Sequence, residues 1–164
     1  MEILDQSIID KTEKPDRFGK VLRIIEYVAA AFLVVGALFR FLYFPYANEL
    51  LFIGLTMLIL NYFPLSILYA IVSKRFKTFV SKISIIYIAI TLSIAIVGIE
   101  FRTLYFLGAE GLILIAKVLF VPALIIALVS KKQMFGLTNN VFIWGIWRLV
   151  LVGIPLWLFV FVNK

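Results

Sequence analysis

The 164-residue chain has no cysteine and no histidine, which excludes disulfides, thiolate nucleophiles, imidazole bases and the usual zinc, haem and copper sites. Its net charge of +7 would suit nucleic acid, but the basic residues cluster beside apolar runs, as in the cytoplasmic loops of membrane proteins. Hydrophobic residues form 64% of the chain, against about 45–50% in soluble domains, so we expect neither a water-soluble fold, nor a nucleic-acid partner, nor a cofactor.

Residues 1–20 contain five acidic and four basic side chains and are predicted to form a cytoplasmic N-terminal segment. Five apolar runs follow, at 21–44, 50–73, 83–99, 111–129 and 141–162. About 20 apolar residues in a helix span the roughly 30 Å hydrocarbon core, where only a helix satisfies the backbone of such a run. The sequence therefore predicts an all-α membrane protein in which five transmembrane helices form one bundle.

The basic residues predict the orientation of these helices. Ten of them lie on one side of the bilayer: Lys11, Lys14, Arg17, Lys20, Lys74, Arg75, Lys77, Lys82, Lys131 and Lys132. The other side carries Arg40, Arg102 and Lys164. Because basic loops stay in the cytoplasm, we expect a cytoplasmic N-terminus and, after five spans, a C-terminus outside it.

An internal repeat appears when the chain is aligned with itself at an offset of 62 residues. Ten of twenty positions are identical, without a gap, between VVGALFRFLYFPYANELLFI at 34–53 and IVGIEFRTLYFLGAEGLILI at 96–115. The identical pairs include Gly36 with Gly98, Phe39 with Phe101, Arg40 with Arg102 and Tyr43 with Tyr105. A duplication of one segment is the interpretation we adopt.

The repeat predicts two helical hairpins, at 21–73 and 83–130, followed by a fifth helix at 141–162. Each copy contains two spans, so both hairpins enter the bilayer from the same side. This parallel arrangement differs from the inverted repeats that many secondary transporters use for alternating access.

The repeated stretch also carries a family motif. The first copy has Gly36, Ala37, Phe39, Arg40, Pro45, Ala47 and Gly54; the second keeps Gly98, Phe101, Arg102, Gly108 and Ala109, with Leu107 in place of proline. This pattern resembles the N-terminal membrane hairpin of the gliding-motility protein GldL, a subunit of the inner-membrane motor of type 9 secretion in Bacteroidota. The resemblance covers about residues 20–130 and implies a bacterial inner membrane and a periplasmic C-terminus.

One departure from that family bears on function. The motor protein has an acidic residue in its second helix that is tied to ion-driven rotation, whereas the second span here offers Asn61 and Thr56, and the fourth has Lys117. The resemblance therefore implies the fold and the setting more than it implies motor activity.

Charged residues within the predicted spans are candidate functional groups. Glu26 lies three residues after Arg23 on one helix face, which predicts a local ion pair, with a proton or cation relay and contact with a partner helix as alternatives. Lys117 and Arg148 lie roughly 9–11 Å from the nearer helix ends. Each either snorkels to the surface or faces the bundle interior or a neighbouring subunit.

Arg40 and Arg102 are predicted at equivalent helix ends on the outer side. We expect them to anchor the interface by pairing with lipid phosphate or with terminal carbonyls, while a binding site between the two turns is the alternative. Glu100 and Glu110 flank the second turn as possible partners. Asn61 is expected to form an interhelical hydrogen bond.

The sequence shows neither a nucleophile with a base nor paired carboxylates near one plane, so we expect no enzyme activity. It predicts a non-catalytic subunit or scaffold of a larger membrane complex, with the lipid bilayer and other membrane subunits as partners. The alternative is a small ion, proton or small-molecule transporter using Glu26, Lys117 and Arg148. The candidate interaction or charge-relay residues are Arg23, Glu26, Arg40, Asn61, Glu100, Arg102, Glu110, Lys117 and Arg148.

Overall fold

The computed structural model describes residues 17–73, 78–131 and 139–158. These residues form five helices, α1 Arg17–Phe41, α2 Ala47–Val72, α3 Phe79–Thr103, α4 Ala109–Lys131 and α5 Asn139–Leu158. Most of the predicted N-terminal segment, two stretches of basic loop and the end of the fifth apolar run lie outside the described residues, at 1–16, 74–77, 132–138 and 159–162.

Four of the helices, α1 to α4, are long and apolar enough to cross a membrane. The described part of α5 includes the apolar stretch Trp144–Ile154. The described chain thus has the pattern of a multi-pass helical membrane protein.

The second helix is interrupted near its middle. Asn61–Leu65 forms a single π-helical turn that contains Pro64. Proline has no backbone donor, and its ring clashes with the carbonyl four residues back, so the regular ladder cannot continue through it. The widened turn is closed at Ser66, whose backbone N–H and side chain both bond to the carbonyl of Asn61, the latter at 2.8 Å.

The third helix forms the centre of the bundle. It packs against α2, α4 and α5, and its buried residues lie on several faces. The first helix lies at the edge, packs mainly on α2, and buries only Leu22, Ala29 and Gly36. Each of these positions follows the previous one by seven residues, so all three lie on one stripe along the helix. Most of the α1 surface therefore faces outward.

Glycines allow close approach of the helices within each hairpin. A Cβ atom on Gly36 would lie 3.0 Å from the backbone nitrogen of Leu51, and one on Gly98 would lie 3.1 Å from that of Ile113. Both contacts join positions that correspond at the 62-residue offset. Small residues are what permits such backbone approach in membrane helix pairs.

The turns of the two hairpins have the same geometry. In the first, the N–H of Phe44 bonds to the carbonyl of Phe39 at 2.8 Å, and that of Tyr43 to the carbonyl of Arg40 at 3.3 Å. The second repeats these bonds at 2.7 and 3.2 Å between the corresponding residues, Phe106 to Phe101 and Tyr105 to Arg102. This is the Schellman pattern of helix ends, including its hydrophobic contact, here an edge-to-face phenylalanine pair with ring centroids 5.4 Å apart in each turn.

The fifth helix packs its backbone on the second hairpin. A Cβ atom on Gly145 would lie 3.1 Å from Ile88, and one on Gly153 would lie 2.6 Å from the ring of Phe120. Among the described residues, close backbone contacts join α5 to α3 and α4, while α5 reaches α1 and α2 through side chains.

Candidate functional site

A buried polar cluster joins α1, α2 and α5. Arg148 Nη2 donates to Oε2 of Glu26 at 2.6 Å, and the hydroxyl of Tyr62 donates to Oε1 of the same carboxylate at 2.6 Å. Both carboxylate oxygens are therefore engaged, one by a cation and one by a neutral donor. The Arg148 and Glu26 side chains are only 9% and 14% exposed.

The arginine is held by its own helix as well. Arg148 Nη1 donates to the carbonyl of Trp144 at 2.7 Å, and its guanidinium carbon lies 4.5 Å from the centroid of the Trp144 ring. Residues four apart share a helix face, and a planar guanidinium stacks on aromatic rings. This support fixes the direction in which Arg148 reaches toward Glu26.

The π-helical turn lies directly in this site. Tyr62 is within the turn and is fully buried. Its neighbour Asn61 is also fully buried, and neither its amide oxygen nor its amide nitrogen has a partner among the described residues. Arg148 Nε likewise has no hydrogen-bond partner among the described residues. The cluster thus combines a satisfied ion pair with an amide that is left unsatisfied.

One prediction about these residues is wrong, and the structure decides between two alternatives for another residue. Glu26 pairs with Arg148 rather than with Arg23, which is exposed on α1. Arg148 does not snorkel to the surface, because it is 7% exposed and faces the bundle interior, the alternative that was left open. Arg23 lies on the exposed side of α1, whereas the guanidinium of Arg148 is buried next to the Glu26 carboxylate.

A second polar contact joins the two hairpins. Thr56 Oγ1 on α2 donates to Oε1 of Glu100 on α3 at 3.1 Å, and Glu100 is 6% exposed. Glu110, on the other side of the second turn, is exposed at the start of α4. The two carboxylates that flank this turn therefore occupy different environments.

The two turns lie at the same end of the bundle. Arg40 Nη2, at the end of α1, donates to the hydroxyl of Tyr105 in the second turn at 3.2 Å. Arg102, half-buried at the end of α3, lines the same region, and Lys117 is half-buried farther along α4. The structure thus brings Arg40 and Arg102 to one end of the molecule and Glu26 and Arg148 into its interior.

A cleft of about 1420 Å³ opens between the first hairpin, α3 and α5. Its walls are apolar, and its polar lining residues are at the turn end. The walls include Leu33, Leu55, Leu58, Ile96, Ile99 and Leu151; the residues at the turn end include Arg40, Arg102, Tyr43, Tyr105 and Glu110.

Sequence reasoning missed Tyr62, Trp144 and Thr56 as members of these contacts. Trp144 carried a usable signal, since it precedes Arg148 by one helical turn. Tyr62 is next to Asn61 and two residues before Pro64, and a proline-disrupted turn beside polar residues is where π-bulges occur. Thr56 has no such signal, because its partner lies 44 positions away.

The described residues contain no group of three or more histidine, cysteine, aspartate or glutamate side chains able to hold a metal ion. What the arrangement does chemically is bind helices to one another through charge and hydrogen bonds. Comparison of the chain with protein-family models, curated proteins and solved structures found no match.

Proposed function

We propose that the chain is a non-catalytic five-span subunit of a larger complex in a bacterial inner membrane. The observation that carries this proposal is an outward-facing polar surface on α1, formed by Arg23 and Tyr27. The two residues are four apart and share a helix face; Arg23 is exposed, and Tyr27 is 72% exposed. Tyr27 lies six residues, about 9 Å, beyond the start of the apolar run.

A hydroxyl group at the depth of Tyr27 normally faces a bundle interior or a partner helix, because hydrocarbon offers it no hydrogen bond. Glu26, on the same helix, is already bound to Tyr62 and Arg148. Among the described residues, the Arg23 and Tyr27 surface faces away from the bundle, and we infer that a helix of another subunit covers it.

The same proposal includes two copies of one hairpin and a fifth membrane span. The duplication is supported by the matching turns and by the glycine contacts at corresponding positions. The fifth span is supported by the length of α5, since 20 residues extend about 30 Å, the thickness of the hydrocarbon core. The GldL-like motif points to an energised envelope complex as the setting.

The transporter hypothesis is the second candidate, and one observation favours it. The side-chain amide of Asn61 is fully buried and has no partner in the described part of the chain, and it lies in a π-helical turn beside the Glu26 carboxylate. Such features are typical of functional sites in membrane helices. Against it, both oxygens of Glu26 are occupied. A relay group that must exchange protons or cations needs an accessible oxygen.

Single-cysteine cross-linking tests the subunit proposal, because the chain has no native cysteine. A cysteine at Tyr27 is compared with one at Val118, which is 65% exposed on α4 and serves as the matched control. We expect an adduct with another polypeptide from position 27, none from position 118, and recovery of the same polypeptide in stoichiometric amount after purification in mild detergent. Repeated isolation of a lone monomer, without an adduct, would overturn the proposal.

Proteoliposomes separate the second candidate from the first. With a pH-sensitive dye inside, we expect the purified protein to leave the proton flux at the level of empty liposomes. A flux that is present in the wild type and lost in Glu26→Gln would replace the subunit role with transport.

A further inference from the structure

The cleft between the first hairpin and α5 has the shape of a binding site for a long amphiphile. Small-molecule pockets usually enclose about 300–1,000 Å³, and this cleft is larger at about 1420 Å³. Its lining along α2 reaches Leu58, which lies 11 residues, about 16 Å, from the first residue of that helix at Ala47. That depth matches one leaflet, which is half of a hydrocarbon core of about 30 Å.

The cleft has a closed end and an open end. Arg148 lies three residues before Leu151 on α5, and its bond to Glu26 joins α5 to α1 on the side away from the turns. Toward the turns, the described residues show no close backbone contact between α5 and the first hairpin. The walls there, including Leu33, Leu55 and Ile96, present aliphatic side chains.

The charged side chains at the open end of the cleft indicate which head group an amphiphile bound there would carry. Arg40 and Arg102 both line the cleft at the turns, and arginine binds phosphate with two parallel hydrogen bonds. Glu110 lines the same end. Two cations and one carboxylate complement a head group that carries both a phosphate and an ammonium group better than one that is purely anionic.

We propose that this cleft binds a phosphatidylethanolamine-type phospholipid, with its phosphate between Arg40 and Arg102, its ammonium group toward Glu110 and an acyl chain along the aliphatic walls. The site is distinct from the outward face of α1 and makes the lipid part of the folded bundle. Bound in this way, the acyl chain reaches the deep end of the cleft at Leu58 and Leu151.

Native mass spectrometry of the purified protein tests the site, with phosphatidylethanolamine, phosphatidylglycerol, diacylglycerol and inorganic phosphate as separate probes. We expect one phosphatidylethanolamine retained per chain, weaker retention of phosphatidylglycerol, and none of the two probes that lack either the head group or the acyl chains. The double variant Arg40→Gln with Arg102→Gln should weaken binding at least about ten-fold. Arg17→Gln, an exposed arginine at the other end of α1, is the matched control and should leave binding unchanged.

Glu110→Gln tests the ammonium contact and should reverse the preference toward phosphatidylglycerol. Circular dichroism of each variant checks that it remains helical. Equal retention of diacylglycerol, or unchanged binding in the double arginine variant, would overturn the proposal. So would a cysteine at Leu151 that cross-links to a second copy or to another protein, since a polypeptide would then occupy the cleft.

Discussion

The two hairpins share one turn but meet the fifth helix in opposite ways. Residue 26 of the first hairpin corresponds to residue 88 of the second at the 62-residue offset. Ile88 packs on Gly145 of α5, while Glu26 binds Arg148, three residues farther along the same helix. At this position the second hairpin therefore has an apolar side chain packed closely on α5. The first hairpin has a charged side chain that reaches α5 through an ion pair.

This difference shows how two hairpins with the same turn can hold a further helix by different means. Lipid tails are as apolar as leucine, so a helix gains nothing from hiding hydrophobic surface and is held by packing or by polar bonds. The second hairpin holds α5 by close packing against Gly145 and Gly153 of that helix. Among the described residues, the first holds it through the ion pair of Glu26 with Arg148, and the cleft lies between this hairpin, α3 and α5.

Among these variants, we expect removal of the ion pair to cause the largest loss of stability. Arg148→Met leaves Glu26 buried with only the Tyr62 bond, and an uncompensated buried charge costs about 3–5 kcal/mol. We expect that loss in the free energy of unfolding, measured by circular dichroism as dodecyl sulfate is added to mixed micelles.

The double variant Glu26→Ile with Arg148→Met makes the first hairpin resemble the second at this position. Replacing a buried pair with apolar residues is often close to neutral, so we expect most of the lost stability to return. A double variant no more stable than Arg148→Met alone would show that the two side chains are not coupled.

The bond between Thr56 and Glu100 offers a second comparison. Their equivalents, Val118 and Leu38, are apolar and exposed on the outside of the bundle. Thr56→Val removes the donor to a buried carboxyl group, for which we expect a loss of about 1–3 kcal/mol. Thr56→Ser keeps the hydroxyl and is the control; equal losses in both variants would assign the effect to packing instead.

The sequence predicted the helices well because each apolar run is long. The first helix already includes Arg17, where the described residues begin, and so extends beyond the predicted start at 21. The shared turn was also predictable, since the identical residues of the repeat lie in it.

The partner of Glu26 could not be predicted from local spacing. Helical periodicity identifies neighbours three and four residues away, which favoured Arg23, whereas Arg148 is 122 positions distant. That pairing depends on how α5 docks, and the docking depends on Gly145 and Gly153 against the second hairpin. The resemblance to the GldL hairpin covers neither α5 nor this contact and remains a prediction.

Glycine substitutions test the feature that the two hairpins share. Gly36→Ala and Gly98→Ala each place a methyl group about 3 Å from the facing helix backbone, and overpacking of this kind costs roughly 1–3 kcal/mol. After the gain in helix propensity, which is up to about 1 kcal/mol, we expect net losses of about 1–2 kcal/mol of similar size in both hairpins. Gly111→Ala has open space around it and should not destabilise; unequal losses at 36 and 98 would mean that the two helix contacts differ.

The smallest effect concerns the turns, where the two copies differ in sequence but not in backbone. Tyr46 has a φ of 66° in the first turn, and Gly108 has a φ of 88° at the corresponding place in the second. A side chain in this left-handed region costs roughly 1–2 kcal/mol, against about 0.4–1 kcal/mol for the extra freedom of glycine in the unfolded chain. We therefore expect Tyr46→Gly to stabilise the protein by about 0.5–1 kcal/mol and Gly108→Ala to destabilise it by a similar amount, measured by the same dodecyl sulfate unfolding. Because the space around Gly108 is open and Tyr46 is 71% exposed, packing contributes little to either change, and shifts of the same sign would show that the two turns are not conformational equivalents.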